Sequence, residues 1–271
     1  NATASVSISI MPQTQTTPEP RRLGETDLFV SPVGLGCLQM SRGRGITGML
    51  WPSLNEYDIA EIVRASLENG VDWFDTAELY GWGESERALS RALAQLKVRR
   101  EDAVIATKWW PLFRTAGSIT ESIQDRLGCL ATGYIDIFQV HNPYSFSSIR
   151  SQMREMAGLI KDGRVRYAGV SNFSARQMRS AHRELAGYGL KLVSNQVNYS
   201  LLKRGIESNG VLESAKELGV SIIAYSPLGR GLLTGKFHNE SGLVSERGFL
   251  RRLYTSLNER RLEETRPVVD T

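Results

Sequence analysis

Cysteine is scarce in this 271-residue chain, which has two, Cys37 and Cys129, far apart and each in an apolar context. Neither belongs to a CxxC pair. A disulfide framework and a thiolate zinc site are therefore not expected, and a reducing compartment suits the chain. No apolar run approaches the roughly 18 residues a bilayer-spanning helix needs, so no membrane span is expected. A long basic run is missing too. The net charge of +4 comes from scattered Lys and Arg, which argues against a nucleic-acid partner. The chain reads as a soluble protein of the cytoplasm, with a plastid or other organelle also compatible.

What is present divides unevenly. Residues 1–20, NATASVSISIMPQTQTTPEP, hold seven Ser/Thr, three Pro and one charge, Glu19, and read as a flexible tail in which Met11 is a candidate start. From residue 21 to 271 the chain reads as one folded unit, and its 41% hydrophobic residues suffice for a large core. Helical and strand-like segments alternate from residue 54 onward. Helices are predicted over 54–69, 84–97, about 118–132, 148–162, 174–186 and 210–218, with capping boxes at Ser53–Glu56, Ser118–Glu121 and Ser174–Gln177. Between them lie VDWFDTA, DAVIATK, YIDIFQVH, VRYAGVS, LVSNQVNY and VSIIAYSP, preceded by VGLGC at 33–37.

Short apolar strands separated by single helices imply a parallel sheet with helices outside it. The units recur without the change of pattern that a sheet reversal would bring. The fold class expected is therefore α/β, a (β/α)8 barrel, with RRLGETDLFVSP as a hairpin across its floor. Residues 259–271 look like the opening of a seventh helix, and an eighth strand is not found. About 50 further residues would be expected in a barrel of the usual size.

In such barrels chemistry gathers at the C-terminal ends of the strands. The residues there are Asp75, Lys108, His141, Ser171 with Asn172, Gln196 and Tyr225, successive positions standing 25 to 33 residues apart, about one βα unit each. A barrel would bring them to one rim whatever their task. Tyr80 lies five residues beyond Asp75, where the chain can return over it. His182 and His238 are not at strand ends, so a polyhistidine metal site lacks ligands and no metal is expected.

The segments DWFDTAELYG, ATKW, YIDIFQVHNP, GVSNF, NQVNYS and AYSPLGRGLLTGK, in this order, resemble the successive signatures of the aldo-keto reductase superfamily. The resemblance covers about residues 21–271. It implies an (α/β)8 barrel that reduces aldehydes or ketones with NADPH and without a metal. By motif, Tyr80 would be the general acid, Asp75 and Lys108 its supporting pair, and His141 the group that orients the carbonyl. The chemistry is coherent. Hydride arriving at a carbonyl carbon leaves an alkoxide that must gain a proton. A free phenol, of pKa about 10, is a reluctant donor, and a nearby ammonium makes it a better one.

The resemblance also places Ser171, Asn172 and Gln196, with Asp75, at the nicotinamide, and stacks Tyr225 on its ring. It folds the loop 226–236 over the pyrophosphate, with Ser226, Pro227, Leu228, Gly231 and Lys236 as its cofactor residues and Arg247 as a further phosphate candidate. The family's adenosine 2′-phosphate site follows the eighth strand, so the preference for NADPH is carried by the resemblance alone. The loop 41–51 with Trp51, together with Trp82, Trp109 and Trp110, could line a substrate mouth. Two other readings stand beside the reductase. One is a non-catalytic NADP(H)-binding regulatory or scaffold protein, and the other is a barrel enzyme using Lys108 as a Schiff-base nucleophile. The partner expected is a small-molecule carbonyl, with homo-oligomerisation open.

Overall fold

The computed structural model describes residues 19–45, 53–238 and 259–270. Most of the N-terminal tail, with Met11, and the candidates Trp51 and Arg247 lie outside the described residues. The chain opens with a hairpin of two-residue antiparallel strands, β1 (Arg21–Arg22) and β2 (Phe29–Val30). Strand and helix then alternate: β3 (Leu35–Gly36), α1 (Glu56–Glu68), β4 (Trp73–Asp75), α2 (Glu84–Gln95), β5 (Val104–Trp109), α3 (Gly117–Leu130), β6 (Ile135–Val140), α4 (Ile149–Lys161), β7 (Val165–Ser171), α5 (Ala175–Ala186), β8 (Leu192–Asn198), α6 (Val211–Glu217), β9 (Ser221–Tyr225) and α7 (Glu259–Val269).

Strands β3 to β9 form one parallel sheet in the order of the sequence. The sheet curls as a barrel wall does, with β3 and β9 at its two edges. Among the described residues no eighth strand bridges those edges. Parallel neighbours in sequence order require every connection to cross back over the same face. The helices accordingly form an outer layer in which each packs against the next, from α1 to α6.

Strand alternation sorts the side chains into two interiors. Residues turned outward, among them Phe74, Ile105, Trp109, Phe138, Val140, Ala168 and Val170, join the helices' apolar faces in the main core. Those turned inward form tiers. The lower tier is apolar, with Trp73, Ala106, Ile137 and Val193 closed from below by Leu23, Leu28 and Val30 of the hairpin region. The hairpin therefore plugs the floor as the sequence predicted. Two residues further along β4, β5 and β6 the inward side chains become polar, Asp75, Lys108 and Gln139, and Gln196 joins them three residues beyond Val193, where the pairing of β7 with β8 shifts register. That change of character places the site.

Local signals were obeyed where nothing competed for them. Ser174 and Gln177 make the full capping box of α5. The cap of α1 is Asn55, whose side chain accepts from Asp58 N–H, in place of Ser53. The box at Ser118 does not form either, and α3 has no side-chain cap. The Ser118 hydroxyl is taken instead by Trp109 Nε1 (3.1 Å) and Arg114 Nε (3.0 Å).

Candidate active site

Asp75 ends β4, and Lys108 stands one residue before the end of β5. The parallel pairing sets Asp75 opposite Ala106 and Lys108 opposite Gln139, so all three polar side chains occupy the top of the barrel interior. Lys108 is fully buried, and its ammonium donates to Asp75 Oδ2 (2.5 Å) and to the Thr76 carbonyl (2.8 Å). Asp75 Oδ1 accepts from Gln196 Nε2 (2.9 Å) and Gln139 Nε2 (3.2 Å). One carboxylate thus holds an ammonium and two amides, which satisfies a charge that burial would otherwise make costly. Burial pushes the Lys108 pKa down. The Asp75 carboxylate and the Tyr80 phenol outweigh that cost and hold it above the ordinary lysine value.

Tyr80 reaches the same place from a compact turn. Its N–H bonds the Ala77 carbonyl (3.0 Å), and its own carbonyl accepts from Ser85 N–H (3.1 Å). The turn is anchored underneath by Thr76 and Ser85 hydroxyls, Ser85 donating in turn to the Cys37 carbonyl (2.7 Å). Gly81 has φ of 67°, and a Cβ there would lie 2.9 Å from the Ser41 carbonyl oxygen, so the turn needs a glycine. Tyr80 presents its ring 5.2 Å from the Lys108 ammonium. His141, just beyond β6, meets Tyr80 edge to face at 5.8 Å between ring centroids. Burial and the Lys108 charge together push the His141 pKa down to about 3, so the imidazole is neutral at physiological pH.

The remaining predicted residues are near but differently engaged. Ser171 Oγ donates to the Gln196 carbonyl (2.9 Å). Asn172, at φ of 60°, donates through Nδ2 to the His141 carbonyl (3.2 Å) and to Ser171 Oγ (3.0 Å), and its Oδ1 accepts from the Tyr225 hydroxyl (3.0 Å). Ser226, Pro227 and Leu228 follow β9 and lead into a kinked turn over Gly229–Thr234. That turn walls a cavity of about 260 Å³ lined by Asn198, Ser200, Lys203, Ser226, Arg230 and Arg261, among others. Three cations face this cavity. Lys236 is not among them; its ammonium lies over the Phe237 ring at 4.7 Å. Gly231 gives the turn its backbone freedom, at φ of 98°.

Of the tryptophans expected at the mouth, Trp82 is exposed, and Trp110 stands edge to face with His141 at 5.3 Å. Trp109 does not belong there. It is completely buried between sheet and helices, because the strand that turns Lys108 inward must turn its neighbour outward. The same alternation could have identified Gln139, two residues before His141 and on the same face, which sequence reasoning missed. It also missed Lys203, Arg230 and Arg261, which carry no spacing signal.

An acid, an ammonium and a phenol thus meet beside a neutral imidazole on the rim of a parallel α/β barrel wall. The chain belongs to the aldo/keto reductase family, whose family model matches residues 33–269. It is 35% identical over 226 residues to the aldo-keto reductase YhdN of Bacillus subtilis, an alignment covering 80% of this chain and 64% of that protein. It is 32% identical to the chloroplastic pyridoxal reductase of Arabidopsis thaliana, over 83% of this chain and 64% of the relative. The chain therefore spans a little under two thirds of the length of these curated relatives. Among solved structures, an aldo-keto reductase from Klebsiella pneumoniae in complex with NADPH superposes with a TM-score of 0.68 at 26% identity, over 83% of this chain and 74% of that one.

Proposed function

We propose that the protein reduces aldehydes or ketones to alcohols using NADP(H), with Tyr80 as the general acid. The observation that carries this reading is the buried Lys108 ammonium, joined to Asp75 on one side and Tyr80 on the other, with neutral His141 against the phenol. Bound NADPH would supply the hydride. The alkoxide left on the substrate takes the Tyr80 proton, and the adjacent ammonium stabilises the phenolate that remains. Asp75 keeps Lys108 charged and aimed. A neutral His141 can donate one N–H to the carbonyl oxygen and so set its approach without competing as a cation.

The residues fit a dinucleotide. Ser171, Asn172 and Gln196 supply amide and hydroxyl groups at the strand ends, Tyr225 a flat ring, and the neighbouring cavity three cations suited to a pyrophosphate. The NADPH complex of the Klebsiella relative supports the same choice. A Schiff-base role for Lys108 is disfavoured, since its nitrogen is buried, bonded to Asp75 and held charged. A purely regulatory cofactor-binding role would not need the acid, ammonium and imidazole together.

The test mixes protein, NADPH and an aromatic aldehyde and follows the loss of NADPH absorbance. Tyr80→Phe should abolish turnover while cofactor still quenches tryptophan fluorescence. Turnover retained in that variant removes Tyr80 from the acid role.

A further inference from the structure

Glu78 and Arg114 form an ion pair beside the site to which the reductase reading gives no task. Glu78 lies on the loop after β4, and its N–H donates to the Lys108 carbonyl (3.1 Å). Its carboxylate accepts Trp110 N–H at Oε2 (3.0 Å) and Arg114 Nη1 at Oε1 (2.6 Å). The two side chains are 15% and 27% exposed, so the pair is substantially shielded from water. The Arg114 guanidinium also reaches the Trp110 carbonyl (3.3 Å), Ser118 Oγ (3.0 Å) and the Ser118 carbonyl (3.3 Å).

The backbone of Arg114 ties in a third loop. Its carbonyl accepts Phe146 N–H (3.1 Å) and the Ser145 hydroxyl (2.9 Å), and Ala116 N–H donates to Ser147 Oγ (2.9 Å). Next to Arg114, Phe113 is held at φ of 60°, a conformation a bulky L-residue adopts only when its surroundings impose it. The Phe113 and Phe146 rings, though 75% and 72% exposed, lie 6.1 Å apart across the two loops. Within this cluster Glu78 and Arg114 both bond the backbone of Trp110, whose ring meets His141 edge to face.

We propose that Glu78 and Arg114 are positioning residues for the carbonyl substrate. The pair holds Trp110 against His141 and joins the loops after β4, β5 and β6 into one preformed mouth. The proposal rests on the reductase reading and extends it. Preformed walls matter because a mouth that is already ordered does not have to order its loops when the carbonyl binds, so loosening it weakens substrate binding, whereas the pair touches nothing that binds cofactor.

The test uses 5-fluorotryptophan-labelled protein, with the Trp110 resonance assigned by Trp110→Phe, in the wild type and in Glu78→Gln, Arg114→Met and Arg114→Lys. Glu78→Gln keeps an acceptor for Trp110 N–H and removes the charge. In Glu78→Gln and Arg114→Met the Trp110 fluorine signal should shift or broaden, and KM for the carbonyl should rise about tenfold with kcat within about threefold. NADPH affinity, read by fluorescence, should stay unchanged, and Arg114→Lys should recover part of the loss. An unmoved Trp110 signal, or an unchanged KM in variants that are merely less stable, overturns the proposal. Absence of carbonyl turnover in the wild type overturns the reductase reading and its extension to substrate. It is told apart from failure of the clamp because the fluorine signal then still responds to the substitutions.

Discussion

His141 sits where two influences act in the same direction: burial and the Lys108 ammonium both oppose a positive ring, and its pKa falls to about 3. The consequence for stability follows from linkage. Between pH 6.5 and about 3 the unfolded chain takes up a proton at this histidine and the folded chain does not, so stability is lost as pH falls through that window. From pH 7 to 4.5 the loss at this one group amounts to at most about 3 kcal/mol. Urea denaturation of wild type and His141→Gln at both pH values should show a shallower acid slope in the variant. Equal slopes would mean that His141 ionises freely in the folded protein. Activity should show no acid limb from this residue above about pH 4. The same residue shows what the sequence makes legible at this scale. Asp75, Lys108 and His141 were readable because each ends a strand one βα unit after the last, and Tyr80 because it follows Asp75 in a turn. Trp110 and Trp109 are adjacent and chemically identical, and only the inward set of Lys108 separates the one at the mouth from the one in the core.

Elements α2 and α3 meet through a buried ion pair. Arg126 Nη1 donates to Glu86 Oε2 (2.6 Å), while Glu86 Oε1 accepts from the Thr107 hydroxyl (2.6 Å), and both side chains are almost wholly buried. Burial pushes the Glu86 pKa up to about 7, with Arg126 and Thr107 opposing it. Thr107 immediately precedes Lys108, so the pair fastens two helices to the strand that carries the ammonium. Breaking one side of such a pair strands the other charge and costs about 3–5 kcal/mol. Arg126→Met should therefore lower the urea midpoint markedly, and Glu86→Leu combined with Arg126→Met should cost less than the sum of the single changes. Additive losses would show that the two side chains contribute separately. This contact was invisible in the sequence, since nothing in helical periodicity distinguishes Glu86 and Arg126 from solvent-facing charges. The caps tell the same story: Ser174 is free to cap α5, whereas Ser118 is claimed by the nearby Arg114 guanidinium and by the indole of Trp109 on β5, whose approach depends on how strand and helix pack.

At the scale of the whole molecule, order and parallel sense of the strands could be read from the repeat alone, because single-helix crossovers leave a sequential sheet as the simplest solution. The two-tier interior could not, since it depends on how far each strand runs before its inward positions turn polar. The resulting sheet is uneven. Strands β6 and β8 are buried along nearly their whole length, whereas β9 is half-exposed and, among the described residues, pairs only with β8. At the other edge β3 contributes two residues. Local opening is cheapest where a strand has one partner and little apolar cover, and it approaches global unfolding where both faces and both edges are covered. Native-state hydrogen exchange should therefore rank the amides of β6 and β8 slowest, with β9 and β3 exchanging well ahead of them. Asp75, Lys108, Gln139 and His141 lie on or beside the inner strands β4 to β6, whereas Tyr225 and the turn after it belong to the half-exposed edge. Added NADPH should consequently slow exchange most in β9 and residues 226–236, while β6 changes little. Uniform protection across the sheet, with or without cofactor, would show that the two edges are closed in solution and that the molecule opens as a single unit.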